Sequence, residues 1–233
     1  MLLNQSPLEL LQSRTLPGLV QEEIVALVKL GRLQAGARLP EASLAAQLNV
    51  SRPTLREAFR ALEESGLVQL RKNRGAFIRE ISEAEALELY EVRAGLDELA
   101  GRLLALRLTE QQVAELRRLQ EQQERIVRRR AVDEYFGVNI AFHDRVVEMT
   151  GNATLHRLYR RVIDQMHLLR RHSLSDSKGL RISVAEHAAI VEALVRRDPE
   201  AAASSMRRHV MSGHERMFTA RSRAAGMITK GEQ

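Results

Sequence analysis

The chain has no cysteine, no tryptophan and no long apolar run, and each absence removes a class of protein. Without cysteine there are no disulfides and no thiolate metal sites, which suits a reducing cytoplasm, the compartment we expect. Aromatic residues are 3% of the chain, too few for the exposed rings on which single-stranded nucleic acid stacks. No apolar stretch approaches the ~20 residues that cross a bilayer. Residues 1–14 lack the basic start, apolar stretch and small-residue cleavage site of a signal peptide. No membrane is therefore expected among the partners.

What is there is helix-forming and basic. The 233 residues allow one large domain or two modest ones, each with its own core. Leu, Ala, Glu and Arg dominate, which favours helices. Lys and Arg number 36 against 30 Asp and Glu, a net charge of +6. Such a balance attracts polyanions, but alone it separates neither nucleic acid from an anionic membrane nor either from a merely solvated surface.

The apolar period divides the chain near residues 80–82. After an arm over 1–15, Val20, Ile24, Leu27 and Val28 share one face of a helix that Gly31 ends. A second helix starts about Leu39-Pro40-Glu41, with Pro40 suited to the first turn, and runs as Ala42–Leu48. Asn49-Val50 turns the chain, Ser51 caps a third helix from about Arg52 to Ser65, and Gly66 stops it. Leu67–Leu70 and Ala76–Ile81, joined by the basic turn Arg71-Lys72-Asn73-Arg74-Gly75, read as a two-stranded hairpin. From Ser82 on the pattern is helical, with helices predicted over 83–107, 110–129, 132–149, 153–175, 184–197 and 199–220. Capping-box patterns stand at Ser82/Glu85, Thr109/Gln112 and Ser183/Glu186. Residues 176–183 read as a loop and 221–233 as a disordered tail. Expected, then, is a mostly α chain: a winged helix-turn-helix with a two-stranded wing over 16–81, and an all-helical antiparallel bundle over 82–220.

The first half carries the features of a reader of double-stranded DNA. A recognition helix offers its N-terminal residues to base edges in the major groove, while nearby cations hold phosphates. Here Arg52 and Arg56 fall on one helical face and Arg60 extends the basic stripe, while Leu55, Phe59 and Leu62 turn inward. Arg74 and its neighbours place cations at the hairpin tip. An arginine pair on a helix face is by itself a common solvated surface; the conjunction of helix lengths, turn, cap and basic hairpin is what points to DNA.

The run Gly31–Leu39, then Leu44-Ala45, Val50–Ala58, Leu62–Val68 and Asn73–Ile78 resembles the GntR family of regulators. The resemblance implies that Ser51, Arg52, Thr54 and Arg56 contact DNA and that Gly75 lets the wing approach the minor groove. Many relatives carry arginine at the second residue of the short helix, where this chain has Ala42, so one contact is missing.

In the second half, three of the seven histidines form a pattern. His143 lies four residues after Asn139 on one predicted helix, so both project from the same face. His187 and His209 sit symmetrically about the tight Asp198-Pro199 turn, so antiparallel packing lets them meet. Three imidazoles and an oxygen donor suit zinc, nickel, iron or copper with open positions; the same spacing is met by histidines satisfied within a core. Ala141-Phe142-His143, Thr150-Gly151-Asn152, Glu186–Ile190 and Met206–His209 resemble the FCD effector domain of the FadR subgroup of GntR regulators. That resemblance implies a divalent metal, zinc or nickel, on Asn139, His143, His187 and His209, and a small carboxylate effector (an organic or sugar acid) beside it. The family more often has Asp at the position of Asn139. Arg93 matches a family arginine that faces the pocket; an ion pair with Asp97 is its ordinary alternative. A homodimer on a palindromic operator follows from the same resemblance. A metal-dependent hydrolase built on the histidines is the competing function, against which stands the lack of a general base such as HExxH supplies.

Overall fold

The computed structural model describes residues 15–129, 131–172 and 177–228. Most of the expected arm, residues 1–14, and the end of the expected tail, 229–233, lie outside them. Two compact units divide the chain, Met1–Ser82 with Asp164–Leu168 and Glu83–Ile163 with Leu169–Gln233.

The first unit opens with α1 (Leu16–Lys29), whose N-terminus is closed by Thr15 accepting from the Gly18 amide. Strand β1 (Arg38–Leu39) leads through Pro40 into α2 (Glu41–Gln47). Asn49 takes a positive φ of 53° in the turn to α3 (Arg52–Glu64). Strands β2 (Val68–Arg71) and β3 (Gly75–Ile78) follow. The sheet has three antiparallel strands in the order β1-β3-β2, with Arg38 opposite Phe77 and Val68 opposite Ile78. The expected two-stranded hairpin is there as β2 and β3, and β1, which was not expected, adds a third strand to its sheet. β1 is only two residues long, too short for an alternation to register, and Leu39-Pro40 reads as the helix start that comes one residue later. Pro40 takes the N-cap of α2, not its first turn. Val20, Ile24, Leu55, Phe59, Leu62 and Ile78 form the buried core that fixes the outer face of α3.

The second unit comprises α4 (Glu83–Arg107), α5 (Glu110–Arg128), α6 (Val132–Met149), α7 (Ala153–Met166) as far as Ile163, a 3-10 turn (His167–His172) from Leu169 on, α8 (Ser177–Val195) and α9 (Pro199–Ile228). Thr109 and Gln112 close the expected capping box of α5. The Ser183/Glu186 box does not exist. α8 begins seven residues before the expected start at 184, and Ser183 lies buried within it, bonded to the Tyr135 hydroxyl at 2.8 Å. Sequence patterning put a loop there because the apolar period is clear only from Ile190 on. α9 continues to Ile228, beyond the expected end near 220. α4 and α9 share the most extensive packing in the unit, and small residues permit it. A Cβ on Gly101 would lie 3.0 Å from the Ala202 backbone and 3.0 Å from Met206 Cγ, so α9 lies against α4 where α4 carries no side chain. That close approach brings α9 across the bundle toward α6 and α8.

Candidate functional site

The helix of the first unit that was expected to read DNA presents its N-terminus to solvent. Ser51 is extended (φ −72°, ψ 151°), its Oγ accepts from the Thr54 amide at 3.2 Å, and it also pairs with the Thr54 hydroxyl at 2.8 Å. The cap occupies one of the orphan amides that would otherwise be free for a phosphate. Arg52 is exposed, one turn before Arg56. Arg56 is exposed too, but its Nε donates to Glu41 Oε2 at 2.9 Å. At the wing, Asn73 (φ 59°) and Gly75 (φ 92°) make the tight turn and Arg74 stands exposed between them. A Cβ on Gly75 would meet nothing within 4 Å, so the backbone there is open to a close approach, and its φ is one that L side chains rarely adopt. Arg71 is stacked over Phe77, 4.6 Å from the ring centre.

The second unit gathers a buried histidine centre. His143 on α6, His187 on α8 and His209 on α9 are exposed by 0%, 0% and 5%. Their Nε2 atoms form a triangle with edges of 3.0, 3.1 and 3.2 Å. The partners on the far side of each ring fix the protons. Asp97 Oδ1 lies 2.8 Å from His143 Nδ1, Glu186 Oε2 2.8 Å from His209 Nδ1, and Gln123 Oε1 2.6 Å from His187 Nδ1. A carboxylate only accepts, so Nδ1 of His143 and of His209 must donate; the Gln123 carbonyl assigns the same tautomer to His187.

In the neutral ring the proton is then on Nδ1 and Nε2 carries a bare lone pair. Three lone pairs about 3 Å apart cannot hydrogen-bond to one another, and they repel unless a cation lies between them. A proton is a poor answer, because burial disfavours the charged imidazole. Burial lowers the His143 pKa against the pull of Asp97. It drives His187 well below the usual range, aided by its two histidine neighbours, and takes His209 to about 4. A divalent metal fits: neutral imidazole is its common ligand, and nitrogens about 2.0–2.1 Å from one ion, at somewhat more than right angles, lie about 3 Å apart.

Two arginines stand behind the acceptors. Arg93 Nε is 3.4 Å from Asp97 Oδ2, and Arg216 forks onto Glu186 with both Nη atoms at 3.0 Å. Burial opposes charge on Asp97, but Arg93 and His143 outweigh it and hold the carboxyl below its usual range. Burial likewise opposes Glu186, yet bonds from His209, Arg216 and Ser212 hold it at about 2. Both acids therefore stay ionised and accepting. Arg93 does pair with Asp97, the ordinary alternative, but in the interior beside the histidines rather than on the surface. Asn139 lies one turn before His143 and is half-buried. Sequence reasoning missed Gln123, Glu186, Ser212 and Arg216 as parts of this site and saw Asp97 only as a neighbour of Arg93. Each acts through another side chain, and only Glu186, adjacent to His187, lay next to a flagged residue.

Comparison with known proteins agrees with this layout. Residues 18–78 match the profile of bacterial regulatory proteins, gntR family, and residues 88–212 that of the FCD domain. The chain is 32% identical to the "Probable D-xylose utilization operon transcriptional repressor" of Paenarthrobacter nicotinovorans, over 84% of this chain and 86% of that one. It is 31% identical to the Nta operon transcriptional regulator of Aminobacter aminovorans, over 78% and 85%. Its fold is that of Escherichia coli McbR/YncC, with a TM-score of 0.76 at 20% identity over 88% of this chain and 98% of that one. No helix among the described residues is long and apolar enough to cross a membrane. The two curated relatives are described as transcriptional regulators and the matching family as regulatory proteins, which sets aside the hydrolase. The chain belongs to the gntR family of bacterial transcription regulators, a DNA-binding winged helix-turn-helix followed by an FCD domain.

Proposed function

We propose that this regulator senses a small carboxylate at a metal held by His143, His187 and His209, and transmits its presence to DNA read by α3 and the wing. The observation that carries the reading is the convergence of three unprotonated, buried Nε2 atoms, each ring locked from behind by Asp97, Gln123 or Glu186. Zinc or nickel suits that donor set. A metal bound there supplies open coordination positions to a carboxylate oxygen. Asn139 is placed on the His143 face to add a neutral oxygen donor; lacking the charge of Asp, it leaves the site less selective. Arg93, held beside the centre by Asp97, supplies a fork for the effector carboxylate. The effector is an organic or sugar acid.

On the DNA side, Ser51, Arg52, Thr54 and Arg56 meet the major groove, and Arg74 and Gly75 place the wing tip at the neighbouring minor groove. A homodimer presents two such helices to half-sites about one helical turn apart, hence a palindromic operator. The effector changes operator affinity only as far as it binds the two states of the protein differently, and operator DNA shifts effector affinity by the same factor. The work is that of a cytoplasmic protein.

A thermal-shift screen of organic and sugar acids, run on metal-loaded and on chelator-stripped protein, tests this reading. The expected result is a raised Tm for a subset of acids with metal and none without, and an operator gel shift altered by the same acids. Equal stabilisation with and without metal would remove the metal from the effector site, leaving the histidines a structural cluster.

A further inference from the structure

The outer side of α3 and the wing enclose a groove of about 400 Å³ in the first unit. Four of its lining residues are arginines, Arg38, Arg56, Arg60 and Arg71, and its single carboxylate is Glu41. That acid, the first residue of α2, is bonded to the arginine of the proposed reading face that lines the groove, Arg56 Nε to Glu41 Oε2 at 2.9 Å. Arg38, Arg52 and Arg60 have no carboxylate partner among the described residues. An acid amid cations on a DNA-facing surface works against phosphate attraction, and an ion pair whose arginine is 65% exposed adds little stability. Its placement calls for another reason.

The donor atoms supply one. A guanidinium has five N–H donors. Glu41 takes the one on Nε, and the terminal nitrogens of Arg56 have no acceptor among the described residues. Those two nitrogens are the fork that matches O6 and N7 of guanine in the major groove. An unpaired arginine in so cationic a groove is drawn to any phosphate as a point charge; one held at Nε by a carboxylate is locally neutralised and fixed in orientation.

The geometry points to Glu41 as a specificity-determining residue: it holds Arg56 by Nε so that the outer fork reads a guanine in each half-site, and its charge discourages non-sequence-specific grip on the phosphates. This rests on α3 being the helix that meets base edges.

The test begins by selecting preferred duplexes from a random pool with the full-length protein. Wild type, Glu41→Gln, Arg56→Lys and the double variant Arg52→Ala/Arg56→Ala are then titrated against the selected duplex, versions with each guanine replaced, and random duplex, between 50 and 200 mM salt. Wild type should discriminate strongly at one guanine per half-site. Glu41→Gln should cut the ratio of selected to random affinity about tenfold, chiefly by tightening random binding, and steepen the salt slope by about one. Arg56→Lys keeps the charge and loses the fork, so it should retain random binding and lose the guanine preference. Melting curves that match wild type keep the comparison to folded protein. An unchanged ratio and base preference in Glu41→Gln, or equal tightening on both duplexes, would overturn the assignment. Wild-type binding by the Arg52/Arg56 double variant would instead remove α3 as the reading helix, a separate failure that also ends the proposal.

Discussion

Arg52 and Arg74 stand in solvent with no carboxylate partner among the described residues, whereas His143, His187 and His209 are buried and each is held from behind by an acceptor. The contrast follows from what each unit has to meet. A DNA duplex is large, rigid and charged along its length, so its reader can leave cations exposed and let the duplex order them. An ion and a small acid bring few contacts, so the protein must preorganise nearly every group in advance, with the donors, their tautomers and the charges behind them fixed before the ligand arrives. The first unit therefore depends on a few side chains at a surface, the second on a chain of dependencies reaching from Arg93 and Arg216 through Asp97 and Glu186 to the histidines.

Substitutions should separate the two units, and the largest effect should come from a core. Phe59 is 3% exposed beneath α3. Phe59→Ala should cost about 3–5 kcal/mol and abolish operator binding, while metal binding by the second unit survives; loss of both in chemical denaturation and metal titration would mean that the units do not fold independently. Next, Asp97→Asn removes the charge that orients His143 and balances Arg93. It should lower metal affinity about 10- to 100-fold without changing operator affinity in the absence of effector, as isothermal titration and gel shift would show. Arg52→Ala should weaken operator binding by about 1–3 kcal/mol and relax one base position, whereas Arg74→Ala should weaken all sequences alike and reduce the salt slope by about one.

The smallest effect is one of pH. Glu115 pairs with Arg145 Nε at 2.6 Å, and that bond lowers its pKa. A depressed carboxylate contributes stability that is fully present above its unfolded pKa and is lost as pH falls through the folded one. Arg145 also contacts Glu148 at 2.8 Å, and because the groups are a third or more exposed, Arg145→Met should change stability by no more than about 1 kcal/mol at pH 7, with the difference shrinking in acid. A larger change in urea melts would show that this surface pair matters more than exposure allows.

How much of each unit could be read beforehand follows the same divide. In the first, cap, helix and turn signals are local: Ser51, the Asn49 turn and the apolar stripe Leu55-Phe59-Leu62 lie within fourteen residues, and the helices fall where those signals put them. What escaped was β1, whose meaning comes from a strand nearly forty residues away. In the second, the meeting of His187 with His209 was legible because a short turn imposes symmetric pairing, and the structure places their Nε2 atoms 3.1 Å apart. Gln123 was not, since its place beside His187 depends on how α5 packs against α8, and helix rotation leaves no mark in sequence spacing. The early start of α8 was hidden for a related reason. Ser183 reads as a cap by its type, and only Tyr135, 48 residues away, gives its hydroxyl a partner inside the helix.

The most direct test of the histidine centre is a zinc and nickel titration into chelator-stripped protein, followed by isothermal calorimetry for wild type and for His187→Ala. The account predicts one ion per chain for wild type and a loss of more than about 100-fold in the variant, exceeding what removal of a supporting group costs. Equal affinity in the two proteins, or no binding by a wild type that melts normally, would contradict it.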